Sequence, residues 1–147
     1  MHTIQEMLHK CGSLTYATTL DMIMGYYSMT IHKKSQYLLV IILQWGKYIY
    51  KNMPMGLKIS ANVFQCELGR QFKHLHYVPI YVDDILVIIK ETFEQHLQAV
   101  KTVLHVLREC GMQINPDNSH FAKQEVEYLG YIINGQGISC NRYSSLR

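Results

Sequence analysis

Two adjacent carboxylates, Asp83 and Asp84, interrupt the run VPIYVDDILVII between Val78 and Ile89, where almost every other side chain is apolar. A third, Asp21, closes the stretch LTYATTLDM, whose β-branched and aromatic residues predict a strand. The pair has two readings. As turn residues pointing into water, Asp83 and Asp84 repel each other by only about 1 kcal/mol at ~4 Å. In a partly buried cleft the repulsion rises to about 4 kcal/mol, desolvation adds to it, and only cations hold both groups ionised. Hard carboxylate oxygens select Mg²⁺ or Mn²⁺. With Asp21 at the end of another strand, three carboxylates would let two such ions sit ~4 Å apart and clamp an in-line displacement at phosphorus. The aspartates would then serve as metal ligands, not as general acid or base.

Such a site needs a frame. The 147 residues, 48% hydrophobic and 17% charged, suffice for one compact domain with a core. A net charge of +3 allows a polyanionic partner without demanding one. Cys11, Cys66, Cys110 and Cys140 form no C-x-x-C pair, which predicts free thiols in a reducing, intracellular compartment rather than zinc or disulfides. The eight histidines form no H-E-x-x-H. No apolar run approaches the ~20 residues that cross a bilayer, and the N-terminus has no signal-peptide layout, so no membrane partner is expected.

Thr3 and Glu6 have capping-box spacing and predict a first helix ending at Gly12. The strand ending at Asp21 follows. Tyr37–Leu43 predicts a buried strand, Trp45–Lys47 a turn and YIYKNM a returning strand. Pro54 and Gly56 break it. Ser60 then caps a helix carrying Val63, Phe64, Leu68 and Phe72. Asp83 and Asp84 fall at a tight hairpin or bend. Thr92 and Gln95 repeat the capping box ahead of a helix with Phe93, Leu97, Val100, Leu104 and Leu107 on one face. The strand MQIN, a break at Asn115–Pro116 and a hairpin turning at Asn134–Gly135 complete the chain. This order predicts an α+β domain, an antiparallel sheet backed by helices on one face.

Several motifs, in order, resemble the reverse transcriptases of gypsy-type LTR retrotransposons. LDMIMGYYSM is similar to the family's L-D-x-x-x-G-Y, MPMGLKISANVFQ to its M-P-F-G-L-x-N-A-P-x-x-F-Q, and YVDDILV to its Y-x-D-D box. NPDNSHF and VEYLGYIINGQGI follow the succeeding segments. The chain departs from the family at Leu38–Ile41 in place of K-T-A-F, at Ser60–Asn62 in place of N-A-P, and at Asn118 in place of a common lysine.

The resemblance implies a polymerase palm with part of the fingers over residues 1–138 and a non-matching tail over 139–147. It implies that Asp21, Asp83 and Asp84 bind two Mg²⁺ or Mn²⁺ ions as the catalytic triad. Tyr26 would stack beneath the incoming sugar and exclude a 2'-hydroxyl, and Met55, Gly56 and Gln65 would line the nucleotide pocket. Tyr128, Leu129 and Gly130 would form the primer grip. The implied partners are an RNA or DNA template with its primer, deoxynucleoside triphosphates and the remainder of a retroelement polyprotein. A second reading keeps the fold and a weak nucleic-acid surface without catalysis; metal binding without primer extension would distinguish it.

Overall fold

The computed structural model describes residues 14–140. The helix expected between Thr3 and Gly12, Cys11, and the tail beyond Cys140 lie outside them. Strand β1 (Tyr16–Ile23) leads through a 3-10 turn (Gly25–Ser28) and the one-turn helix α1 (Lys33–Gln36) into a hairpin of β2 (Val40–Leu43) and β3 (Gly46–Ile49). Helix α2 (Ser60–Gln71), strands β4 (Ile80–Tyr81) and β5 (Asp84–Ile89) and helix α3 (Phe93–Glu109) follow. Strand β6 (Gln113–Lys123) then precedes a meander of β7 (Glu125–Tyr128), β8 (Tyr131–Asn134) and β9 (Gly137–Cys140). The class is α+β, as the pattern predicts.

The central sheet has the order β4-β5-β1-β6, with every neighbouring pair antiparallel. Its middle explains the apolar run around the aspartates. From β5, Ile85 and Val87 join Leu20, Phe64, Leu68, Val103 and Leu107 in a core shared with the helices. Leu86 and Ile88 point the other way, onto Leu14, Ala17, Val126, Tyr128 and Ile133. A strand buried on both faces needs apolar side chains at every position, so it shows no alternation. Burying each such side chain contributes about 1.5–3 kcal/mol. Asp84 is therefore the polar end of a strand fixed by four buried side chains.

Helix α3 starts as expected: the Thr92 hydroxyl accepts the Gln95 N–H, and the Gln95 carboxamide accepts the Thr92 N–H. Its buried stripe is His96, Ala99, Val100, Val103 and Leu107, whereas Phe93 and Leu97 are exposed. The expected face is shifted because His96 turns inward to meet Thr18 at 2.8 Å. Ser60 is the first helical residue of α2 rather than its cap, and its hydroxyl donates to the Pro54 carbonyl at 3.0 Å.

Two expectations about strands need correction. The apolar stretch from Tyr37 is strand only from Val40, and it is exposed, Ile42 to 72%. The β2–β3 sheet has only two strands, and every residue of them except Ile41 is exposed; an apolar run alone does not supply the partner it needs. Its turn is also tighter than predicted, because Gly46 and Lys47 already belong to β3. At Asn115–Pro116 the strand does not break. Strand β6 runs through it on the sheet edge, where a missing N–H is tolerated, and register shifts against β1 absorb the irregularity.

Candidate active site

Strand register brings the carboxylates together. Antiparallel pairing of β1 with β5 sets Asp21 directly opposite Asp84. The Tyr81–Asp84 pair closes the β4–β5 hairpin, leaving Val82 and Asp83 as a two-residue turn. Paired residues project from the same face, so Asp21 and Asp84 meet there as like charges, an arrangement unfavourable by itself.

The turn is strained. Val82 has φ 52°, at a position where such turns normally take glycine. Holding a β-branched residue there costs roughly 1–3 kcal/mol. Gln65, on α2, offsets part of it with both ends of its carboxamide. Its Nε2 donates to the Ile80 carbonyl at 2.9 Å, and its Oε1 accepts the Val82 N–H. The residue expected in a nucleotide pocket thus has its amide engaged on the backbone that carries Asp83.

Burial raises the pKa of Asp83 above the ordinary 3.8, with Asp84 and then Asp21 adding to the shift. Asp84 is raised as well, by burial first and Asp21 second. Asp83 Oδ1 is buried without a hydrogen-bond partner. Among the described residues no three His, Cys, Asp or Glu side chains are gathered closely enough to hold an ion as they stand. The donor set nevertheless fits a divalent cation: hard oxygens, mutual repulsion and one orphaned buried oxygen all favour positive charge between them.

Around Asp21 lies a polar clasp. Its Oδ2 accepts Nδ2–H of Asn118 at 3.0 Å and of Asn115 at 3.4 Å. Its N–H donates to Ser119 Oγ at 3.2 Å, and that hydroxyl donates to the Asn115 carbonyl at 2.6 Å. Asn115 and Ser119 escape the sequence reading, since only the register of β6 on β1 brings them to Asp21.

Tyr26 rests on Phe64 with ring centroids 4.9 Å apart and tilted by 36°. Burial and then the charge of Asp83 push its hydroxyl above the ordinary 10.0, which puts the ring on the carboxylate side of the fold. Gly25 makes this seat possible: a Cβ there would lie 2.5 Å from Phe64 Cζ. Met55 is exposed, and Gly56 turns with φ 88° in open space. Tyr128 is buried, and its hydroxyl donates to the Asp84 carbonyl at 3.2 Å. Leu129 and Gly130, at φ 52° and 79°, form the turn from β7 to β8. Between that turn and the carboxylates opens a cavity of about 590 Å³ lined by Asp21, Asp84, Asn118, His120, Lys123 and Leu129.

A four-stranded antiparallel sheet backed by helices, with three aspartates at the ends of adjacent strands and their turn, defines a palm of the nucleotide-polymerase kind. Residues 1–133 match the family described as reverse transcriptase (RNA-dependent DNA polymerase), and the chain belongs to that family. It is 30% identical over 141 residues to the Retrovirus-related Pol polyprotein from transposon gypsy of Drosophila melanogaster, covering 93% of this chain and 13% of that protein. To the corresponding polyprotein from transposon opus of the same fly it is 31% identical over 140 residues, 94% of this chain and 14% of the relative. The native Prototype Foamy Virus protease-reverse transcriptase superposes with a TM-score of 0.83 at 25% identity, over 93% of this chain and 19% of that one. A foamy viral protease-reverse transcriptase in complex with RNA/DNA hybrid shares the fold at a TM-score of 0.86 and 24% identity, over 96% and 19%. The chain thus spans less than a fifth of each of these proteins. The family depends on divalent metal. Among the described residues no helix is long and apolar enough to cross a membrane.

Proposed function

We propose that this chain is the catalytic palm, with part of the fingers, of a retroelement reverse transcriptase that adds deoxynucleotides to a primer 3'-hydroxyl on an RNA or DNA template. The single observation that carries this reading is the register pairing Asp21 with Asp84 across from the strained turn bearing Asp83. Asp21, Asp83 and Asp84 would hold two Mg²⁺ or Mn²⁺ ions, whose charge would favour the attacking 3'-oxygen and the departing pyrophosphate.

The protein's own groups orient the reaction. Asn118 and Asn115 occupy Asp21 Oδ2 and leave its other oxygen for the site. Gln65 and Tyr128 fix the backbone on either side of Asp83 and Asp84. Tyr26, backed by Phe64, would lie beneath the incoming sugar and exclude a 2'-hydroxyl, while the Met55–Gly56 turn would border the triphosphate. Backbone at Leu129 and Gly130 would hold the primer end across the cavity from the carboxylates. Residues 1–138 form this unit, and the rest of the polyprotein would supply the remaining grip on the duplex, which is built from many phosphate contacts.

Primer extension on a poly(rA)·oligo(dT) substrate with Mg²⁺ or Mn²⁺ tests the reading. Asp83→Asn should abolish metal-dependent extension. Extension undiminished in that variant would remove Asp83 from the site.

A further inference from the structure

We infer that Asn134 is a self-modifying position: its carboxamide is set to cyclise onto the Gly135 amide, and the resulting succinimide opens in water to aspartate or isoaspartate opposite Glu125. The inference goes beyond the polymerase reading and uses none of the carboxylate site.

The chemistry needs an unhindered backbone nitrogen beside the side-chain carbonyl. Of the six asparagines only Asn134 precedes glycine, which puts no Cβ in the path of attack. Pairing of Asn134 with Gly137 closes β8 onto β9 and leaves Gly135 and Gln136 as the turn. Gln136 N–H donates to Asn134 Oδ1 at 3.0 Å. That bond curls the side chain over the backbone and encloses the Gly135 nitrogen in the ring it forms. At the other end of the amide, Asn134 Nδ2 donates to Glu125 Oε2 at 3.0 Å. Gly135 and Gln136 are exposed, and a cavity of about 590 Å³ bordered by Glu125, Asn134 and Gln136 admits water.

Asn115 supplies the contrast. Its Oδ1 accepts the Asp117 N–H at 3.2 Å, the same curl, but the next residue is Pro116, whose nitrogen has no proton to lose. Asn118 precedes Ser119, which carries a Cβ, and its Nδ2 is drawn onto Asp21.

In the reaction Gly135 N–H yields its proton to hydroxide, and the nitrogen bonds to Asn134 Cγ. The carbonyl electron pair moves onto Oδ1, where the Gln136 N–H already donates and stabilises the charge. Collapse breaks the Cγ–Nδ2 bond, and the nitrogen leaves as ammonia with a proton from water. A second water then opens the imide at either carbonyl. The product sets a carboxylate against Glu125, its cross-strand partner, and like charges in that relation are destabilising. Isoaspartate also adds a carbon to the backbone, which disturbs the alternation that turns Ile133 into the core.

The test uses the full chain, incubated folded at neutral pH and then digested with trypsin beside an unincubated sample. Fragment masses of the peptide 124–142 should place an amide-to-acid exchange at Asn134, and enzymatic methylation should detect isoaspartate there. Conversion should outpace that of Asn115 and Asn118 by about tenfold or more, ~1.4 kcal/mol in barrier, and should quicken as pH rises. Gly135→Ala should slow it severalfold. Asn134→Asp, which carries the product's charge, should lower the melting temperature by a few degrees, and Glu125→Gln in the same chain should restore it. Conversion that proceeds in urea but stops in the folded chain overturns the proposal, as does faster conversion at Asn115 or Asn118. A melting temperature untouched by Asn134→Asp overturns the opposition to Glu125. All these readouts are independent of primer extension, so loss of the polymerase reading leaves them standing.

Discussion

Asp83 and Asp84 stand where their charges repel, and that gives a direct expectation for stability. Their pKa values are raised in the folded chain, so above 3.8 the native state binds more protons than the unfolded one. Their contribution is fully present below that pH and is lost as pH rises through the folded values. In EDTA at neutral pH, Asp83→Asn and Asp84→Asn should therefore raise the melting temperature, by a few degrees, although with Mg²⁺ supplied the same variants should abolish primer extension; a lowered melting temperature would contradict the repulsion. Gln65 is the opposite case. Gln65→Leu strands the Ile80 carbonyl and the Val82 N–H, and losing each partner costs about 1–3 kcal/mol. It should lower both the melting temperature and the Mn²⁺ affinity. The aspartates were legible in the sequence because charge inside an apolar run stands out. The hold of Gln65 on the turn was not, because a carboxamide on a helix gives no sign of what it reaches.

Helix α3 shows how one residue redirects an element. The Thr92 box and the helix start are written locally and were readable, whereas the buried face depended on a histidine that hydropathy counts as polar. His96 is completely buried, bonds Thr18 through Nε2, leaves Nδ1 unpartnered and lies beside the Tyr16 ring. Burial lowers its pKa below the ordinary 6.5. Below pH 6.5 the unfolded chain gains a proton that the native one refuses, so stability present above 6.5 is lost as pH falls toward the folded value. Urea midpoints measured in the Asp83→Asn/Asp84→Asn background should fall from pH 7.5 to 5.5, and His96→Leu should flatten the dependence. The 3-10 turn carries a different constraint. Gly25→Ala would drive Phe64 from its place in the core and unseat Tyr26. A loss of roughly 1–3 kcal/mol is expected, as for other overpacked cores, and Phe64→Leu in the same chain should restore part of it.

At the scale of the molecule, the sequence order of helices and strands was enough to predict an antiparallel sheet backed by helices, because β5, α2 and α3 have strong local patterns. What it could not show was the second apolar layer of β7–β9, or the exposure of β2–β3, since both depend on which faces meet. Metal should tie the sheet ends together. A ligand present at 100 times its Kd adds about 2.7 kcal/mol, which for a chain of this size is roughly 5–10 °C in Tm. Calorimetry with Mn²⁺ should show such a rise in the wild type and not in Asp21→Asn. Strand β5, gripped by one apolar cluster through Ile85 and Val87 and by another through Leu86 and Ile88, cannot open unless both clusters do. Its amides should exchange with deuterium only through global unfolding, while those of β2 and β3 exchange through local opening, so the chain is kinetically two materials: a slow seam under the carboxylates and a fast arm beside it.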